Sequence, residues 1–108
     1  MFEILIYETR LGRFPFEEWL NALADRRARA ILRIRIDRLK FGNFGNAKNL
    51  GDGISELIID YGPGYRIYFA KAGLTLIILL WGGSKKTQAI DIQTAKSYWK
   101  EYKARGEK

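Results

Sequence analysis

Two hydrophobic periods alternate along this chain, and they predict its elements. FEILIY (2 to 7) is short and rich in branched residues, as a strand is. Pro15 then opens a helix at its first turn, where a missing N–H costs nothing, and Glu17 and Glu18 suit the positive end of the dipole. Trp19, Leu20 and Leu23 give that helix its apolar side. A second helix starts from about Asp25 as N-cap, with Ala28, Ile31, Leu32, Ile36 and Leu39 as its stripe. The segment GNFGNAKNLGDG (42 to 53), with four glycines and three asparagines, reads as a loop.

Three strands are expected next. ISELIID (54 to 60) puts Leu57 and Ile59 on one face and Glu56, Ile58 and Asp60 on the other. After a Gly-Pro-Gly turn at 62 to 64, Tyr65, Ile67 and Phe69 share one face, with Arg66 and Tyr68 on the other. That turn length sets Arg66 across from Asp60. Leu74 to Trp81 is apolar on both faces and so is expected to be the central strand. A last helix from about Thr87 carries Ile92, Ala95, Tyr98, Trp99 and Tyr102 at helical spacing, a stripe that reads as core. The expected fold is α+β, in the order β-α-α-β-β-β-α: a mostly antiparallel sheet, helices on one face, the other face open.

Composition narrows the chemistry. At 108 residues, 47% of them hydrophobic, the chain is one domain's length (1–108) and can bury a core. It has no cysteine and no histidine, so disulfides, thiolate metal sites and the commonest general base are excluded. Catalysis would fall to Lys, Arg, Tyr or carboxylates, and neither a cofactor nor a metal is expected. MFEILIY carries Glu3 and no basic n-region, unlike a signal peptide, and no apolar run is long enough to span a bilayer. The reading is a cytoplasmic protein with no membrane partner. The net charge of +7 points to a polyanion, nucleic acid or the ribosome, or to an acidic protein. Seven cations and one acid, Asp37, lie between Arg26 and Lys40.

The open face is where chemistry is expected, with Glu56, Asp60, Arg66 and Tyr68 on it and Lys85 and Lys86 at the end of the last strand. For Arg66 the residues leave two readings: an ion pair with Asp60 on a wet face, or a cation aimed at a bound phosphate. GGSKKTQ lacks the spacing of a P-loop; its glycines read as turn punctuation and its lysines as surface, though just before a helix they make an anion site.

GDGISELIIDYGPGYRIYF followed by LIILLWGGSKKTQAIDIQTAKSYW resembles the RelE/ParE toxin superfamily, nearest the HigB-like "addiction module killer protein" branch. FPFEEWLNAL and the Gly-Asn loop fit the same group, so the resemblance spans nearly the whole chain. It implies a RelE-like fold and the toxin of a type II toxin–antitoxin system. The partner would be a HigA-like helix-turn-helix antitoxin from the adjacent gene. The implied activity is a ribosome-dependent mRNA endoribonuclease (an mRNA interferase) that inhibits translation. Cleavage would proceed by attack of the 2′-OH on the scissile phosphate. Arg66 falls on the arginine of the family's GYR motif, which binds that phosphate; Lys85 and Lys86 fall in the segment whose basic residues assist. Lys48, Tyr68 and Glu56 are the expected substrate contacts.

Two positions depart from the family's pattern. Ile58 stands where relatives commonly carry the arginine of E-L-R, and G-G-D-K reads here as Gly82-Gly83-Ser84-Lys85 with Lys86 added. The extra lysine either replaces the lost cation or accompanies an attenuated toxin. A ParE-like DNA gyrase inhibitor and a non-catalytic basic binding module are the rival readings.

Overall fold

A computed structural model of the chain describes residues 1–106. Its elements run β1 (Glu3–Ile6), α1 (Pro15–Ala22), α2 (Arg26–Lys40), β2 (Ala47–Gly51), β3 (Ile54–Ile59), β4 (Tyr65–Ala72), β5 (Leu76–Ser84), a 3-10 turn (Lys85–Thr87) and α3 (Gln88–Ala104). The class is α+β, as expected, with five strands in the order β1-β5-β4-β3-β2. Among the described residues only the β1–β5 pairing is parallel.

Local chemistry sets the helix boundaries. Pro15 occupies the first turn of α1, with Glu17 and Glu18 beside it. Asp25 caps α2, its carboxylate accepting from the backbone N–H groups of Arg27 (3.0 Å) and Ala28 (3.1 Å). The expected alternation in β3 and β4 also holds. Leu57, Ile59, Tyr65, Ile67 and Phe69 join Phe16, Leu20, Ala28, Leu32 and Leu39 in one core under α1 and α2.

Three expectations are corrected. First, the helices do not share a face. Ala95, Trp99 and Tyr102 of α3 pack on the opposite side of the sheet, against Ile54, Tyr68, Ala70, Ile78 and Leu80. The reason lies in β5, which buries Ile77 and Leu79 on one side and Ile78 and Leu80 on the other. A strand apolar on both faces needs a cover on both. Second, the Gly-Asn segment holds an edge strand, β2, paired antiparallel with β3 through Ala47, Lys48 and Asn49. It buries few side chains, so no apolar alternation marks it. Asp52 (φ 57°) and Gly53 (φ 84°) supply the two left-handed residues of a tight hairpin turn. Third, β5 is interior but not central: β1 lies outside it, β4 takes the middle, and Leu74 is exposed in the turn before it.

Gly82 and Gly83 take their meaning from this two-sided layout. A Cβ on Gly82 would lie 2.3 Å from ring carbons of Trp19 on α1, and one on Gly83 would lie 1.8 Å from the Asp91 carboxylate on α3. Adjacent residues of a strand point to opposite faces, so each glycine makes room for a different helix. They are seats for packing rather than turn punctuation. At its far end α3 is tied down by Glu101, which accepts from the Tyr7 hydroxyl and pairs with Arg10 (2.9 Å) and Arg105 (2.8 Å). Burial and this carboxylate push the Tyr7 hydroxyl up to about 12, and the Tyr7 hydrogen bond holds the Glu101 carboxyl below its usual range.

Gly82→Ala and Gly83→Ala are therefore each expected to destabilise the protein by at least about 1–3 kcal/mol through overpacking. Urea denaturation checks this; a midpoint unchanged for both would refute the close approach of α1 and α3.

Candidate functional site

The site is built at the end of the β3–β4 hairpin, where five residues (60 to 64) connect Ile59 to its partner Tyr65. This connection is longer than the three-residue turn expected, and it changes the partner of Arg66. The register sets Ile58, half-buried, directly across from Arg66, while Asp60 lies exposed beyond the strand. The expected Arg66–Asp60 pair is not formed. Arg66 instead meets Glu56 on the diagonal, Nε to Oε2 3.8 Å, with only 10% and 1% of the two side chains exposed.

Gly64 holds the other end of the guanidinium. Its carbonyl oxygen accepts from Arg66 Nη1 (2.8 Å) and from the backbone N–H of Lys85 (2.8 Å). One oxygen thus joins the β3–β4 turn, the arginine and the start of the lysine turn. Gly64 has φ 79°, and a Cβ there would lie 3.2 Å from Arg66 Nη1, so two separate demands select glycine at this position. Among the described residues nothing accepts from Arg66 Nη2.

The N-terminus of α3 closes over this pair. Gln88, its first residue, donates from Nε2 to Glu56 Oε2 (2.7 Å). Asp91, buried above Gly83, accepts from Trp81 Nε1 (2.9 Å) and from the Thr87 hydroxyl, which fixes the first turn of α3 on the sheet. Lys85 and Lys86 are exposed in the turn between, so Arg66, Lys85 and Lys86 do gather at one end of the sheet.

The expected substrate contacts are corrected in part. Glu56 and Tyr68 are fully buried, so neither reaches a ligand from an open face. They lie beneath α3 because that helix covers the face on which alternation placed them. Burial, and then the neighbouring Glu56 carboxylate, push the Tyr68 hydroxyl up beyond the ordinary tyrosine range. That hydroxyl, Glu56 Oε1 and Arg66 Nε are all buried without a well-formed hydrogen bond. Lys48 is exposed on edge strand β2, directly opposite Glu56 and so on the face that α3 covers. Gln88, Asp91, Gly64 and Gly83 were missed. Gln88 and Gly83 stood in GGSKKTQ, and the signal was a polar residue at the predicted first turn of the last helix.

Chemically, the arrangement offers a permanently charged planar donor backed by a carboxylate, with two exposed lysines in the adjoining turn. Such a set suits phosphate oxygens and charge developing on them.

Against known proteins, 52% of positions over 81 residues are identical to an uncharacterized protein of Haemophilus influenzae, covering 75% of this chain and 82% of that one. The two chains belong to one family. No protein-family model matches the chain. Among the described residues no helix is long and apolar enough to cross a membrane.

The ion-pair correction has a direct test. Glu56→Ala leaves a buried guanidinium without its counter-charge and Gln88 without its acceptor, and is expected to cost about 3–5 kcal/mol. Asp60→Ala, at an exposed position, is expected to change stability by no more than about 0.5 kcal/mol. Equal losses for the two in urea denaturation would restore Asp60 as the partner.

Proposed function

We propose that this chain is the toxin of a type II toxin–antitoxin pair, in the killer-protein branch of the RelE/ParE superfamily, and that it cuts mRNA on the ribosome. One observation carries the reading: a single carbonyl, that of Gly64, holds both Arg66 and the start of the Lys85–Lys86 turn, so the cations of the GYR and GGSKK segments form one site. The α+β fold, with its sheet sandwiched between α1–α2 and α3, is compatible with a RelE-like architecture. The partners proposed with it are a helix-turn-helix antitoxin and the ribosome, and the compartment is the cytoplasm.

In this reaction the substrate's own 2′-OH gives up its proton to water and its oxygen attacks the adjacent phosphorus. The bond from phosphorus to the 5′-oxygen breaks, leaving a 2′,3′-cyclic phosphate and, once that oxygen takes up a proton, a 5′-OH. Arg66 binds the phosphate and stabilises charge on its oxygens as the fifth bond forms. Lys85 or Lys86 supplies the proton to the leaving oxygen or clamps the phosphate. Glu56 acts through Arg66: it holds the guanidinium in place and is a positioning residue. Ile58 leaves the position across from Arg66 uncharged, so the lysine turn is the local source of further positive charge.

Primer extension on a message undergoing translation tests the proposal. Wild-type protein is expected to produce codon-linked breaks and none on naked RNA, and Arg66→Ala is expected to reduce cleavage by roughly 10²–10³-fold. Full cleavage by a folded Arg66→Ala variant would remove Arg66 from the chemistry. Intact messages together with blocked supercoiling by gyrase would assign the chain to the gyrase inhibitors instead.

A further inference from the structure

The flank of α3 turned toward β2 and β3 is lined with lysine. At the helical repeat, Lys96, Lys100 and Lys103 fall on one side of the helix, next to the face that Gln88, Ala95 and Trp99 turn to the sheet. With Asp52, Ile54 and Trp99 they line a groove of about 330 Å³ between α3 and the β2–β3 hairpin. Its floor is fixed: Trp99 is buried, donates from Nε1 to the Asp52 carbonyl (2.7 Å), and has Lys103 Nζ 5.2 Å from its ring centre. The acids of α3 are turned elsewhere, Asp91 onto Gly83 and Trp81, Glu101 toward Tyr7 and Arg105.

The N-terminal end of the same helix lies at the arginine, where the Gln88 amide bonds to Glu56 behind Arg66. At about 1.5 Å per residue, Lys96 to Lys103 spans roughly 10 Å and Gln88 to Lys103 roughly 22 Å. With phosphates about 3.4 Å apart along a stacked strand, the three lysines match about three nucleotides. Lys48 stands on the same face at the sheet edge. Three cations along the helix that starts beside Arg66, with Lys48 toward the arginine and the helix's own acids turned away, suit a chain of phosphates.

We infer that this flank of α3 is a track for single-stranded RNA leading to Arg66, an inference that rests on the nuclease reading above. The lysines contact backbone phosphates and so hold the strand without reading its bases.

The test is fluorescence anisotropy with an uncleavable 2′-O-methyl RNA of about eight nucleotides, long enough at ~3.4 Å each to reach from Lys103 to Arg66. The variant Lys96→Gln/Lys100→Gln/Lys103→Gln is expected to bind at least about tenfold more weakly. Its slope of log K against log salt is expected to fall by about 2, from about 0.7 per lost phosphate contact. The charge-matched variant Arg26→Gln/Arg33→Gln/Lys40→Gln on α2 is expected to bind as wild type does. Unchanged binding by the α3 variant, or an equal loss in the α2 variant, overturns the track. So does displacement of the RNA by a glutamate-rich peptide at equal charge concentration, which would assign the groove to an acidic protein. The two readings fail separately. If the α3 variant loses RNA binding while the wild-type protein leaves translated messages intact, the nuclease reading falls and the track stands. If Arg66→Ala is inactive while the α3 variant binds RNA normally, the track alone falls.

Discussion

An arginine that is only 8% exposed must have its charge answered from within the protein, and Glu56 answers it. Much of the site's construction depends on that pairing. A buried carboxylate needs donors of its own, so Gln88 reaches it from the first residue of α3. That requires the helix N-terminus to sit directly on the sheet, which requires Gly83 to be bare and Asp91 to be held by Trp81 and Thr87. On the other side, Gly64 must lack a side chain to lie against the guanidinium. The glycines around Arg66 are consequences of burying one charge pair beneath a helix.

The same pairing shapes what the site can do. An arginine on a wet, open face would be mobile and screened by solvent. Held between a carboxylate and a carbonyl, it has lost most of its freedom before any ligand arrives, and an anion binding it meets little reorganisation. The cost is partial neutralisation by Glu56. Lys85 and Lys86, exposed in the turn and tied to Arg66 through Gly64, restore positive charge at the surface without another buried cation. A one-charge change at residue 56 therefore acts on the fold and on the site together.

Much of this was legible in the residues. Period-two alternation separated Leu57, Ile59, Tyr65, Ile67 and Phe69 from Glu56, Arg66 and Tyr68, because one face of those strands meets α1 and α2. Pro15, Asp25 and the stripe of α3 read correctly because cap chemistry and helical spacing are local properties. What failed was long-range. The stripe of α3 announced a buried face but not which side of the sheet would receive it, and the two-sided apolarity of β5 held the answer. The strand β2 is made by backbone pairing with little burial, so only Asp52-Gly53 betrayed its hairpin. The partner of Arg66 moved from Asp60 to Glu56 because the 60–64 connection is two residues longer than the Gly-Pro-Gly turn alone suggests. The gathering of Arg66, Lys85 and Lys86 followed from motif order, whereas the supporting Glu56–Gln88 contact depended on the packing of α3.

The central claim is that Arg66 is held by Glu56 with its free edge directed at a phosphate. Nitrogen-15 NMR of the arginine side chains, during titration with an uncleavable 2′-O-methyl RNA, tests it most directly. The account predicts that the Arg66 Nη signals shift and their protons exchange more slowly on binding, while Nε, facing Glu56, moves little. Arg66 signals that stay in place while Lys85 and Lys86 respond would contradict it.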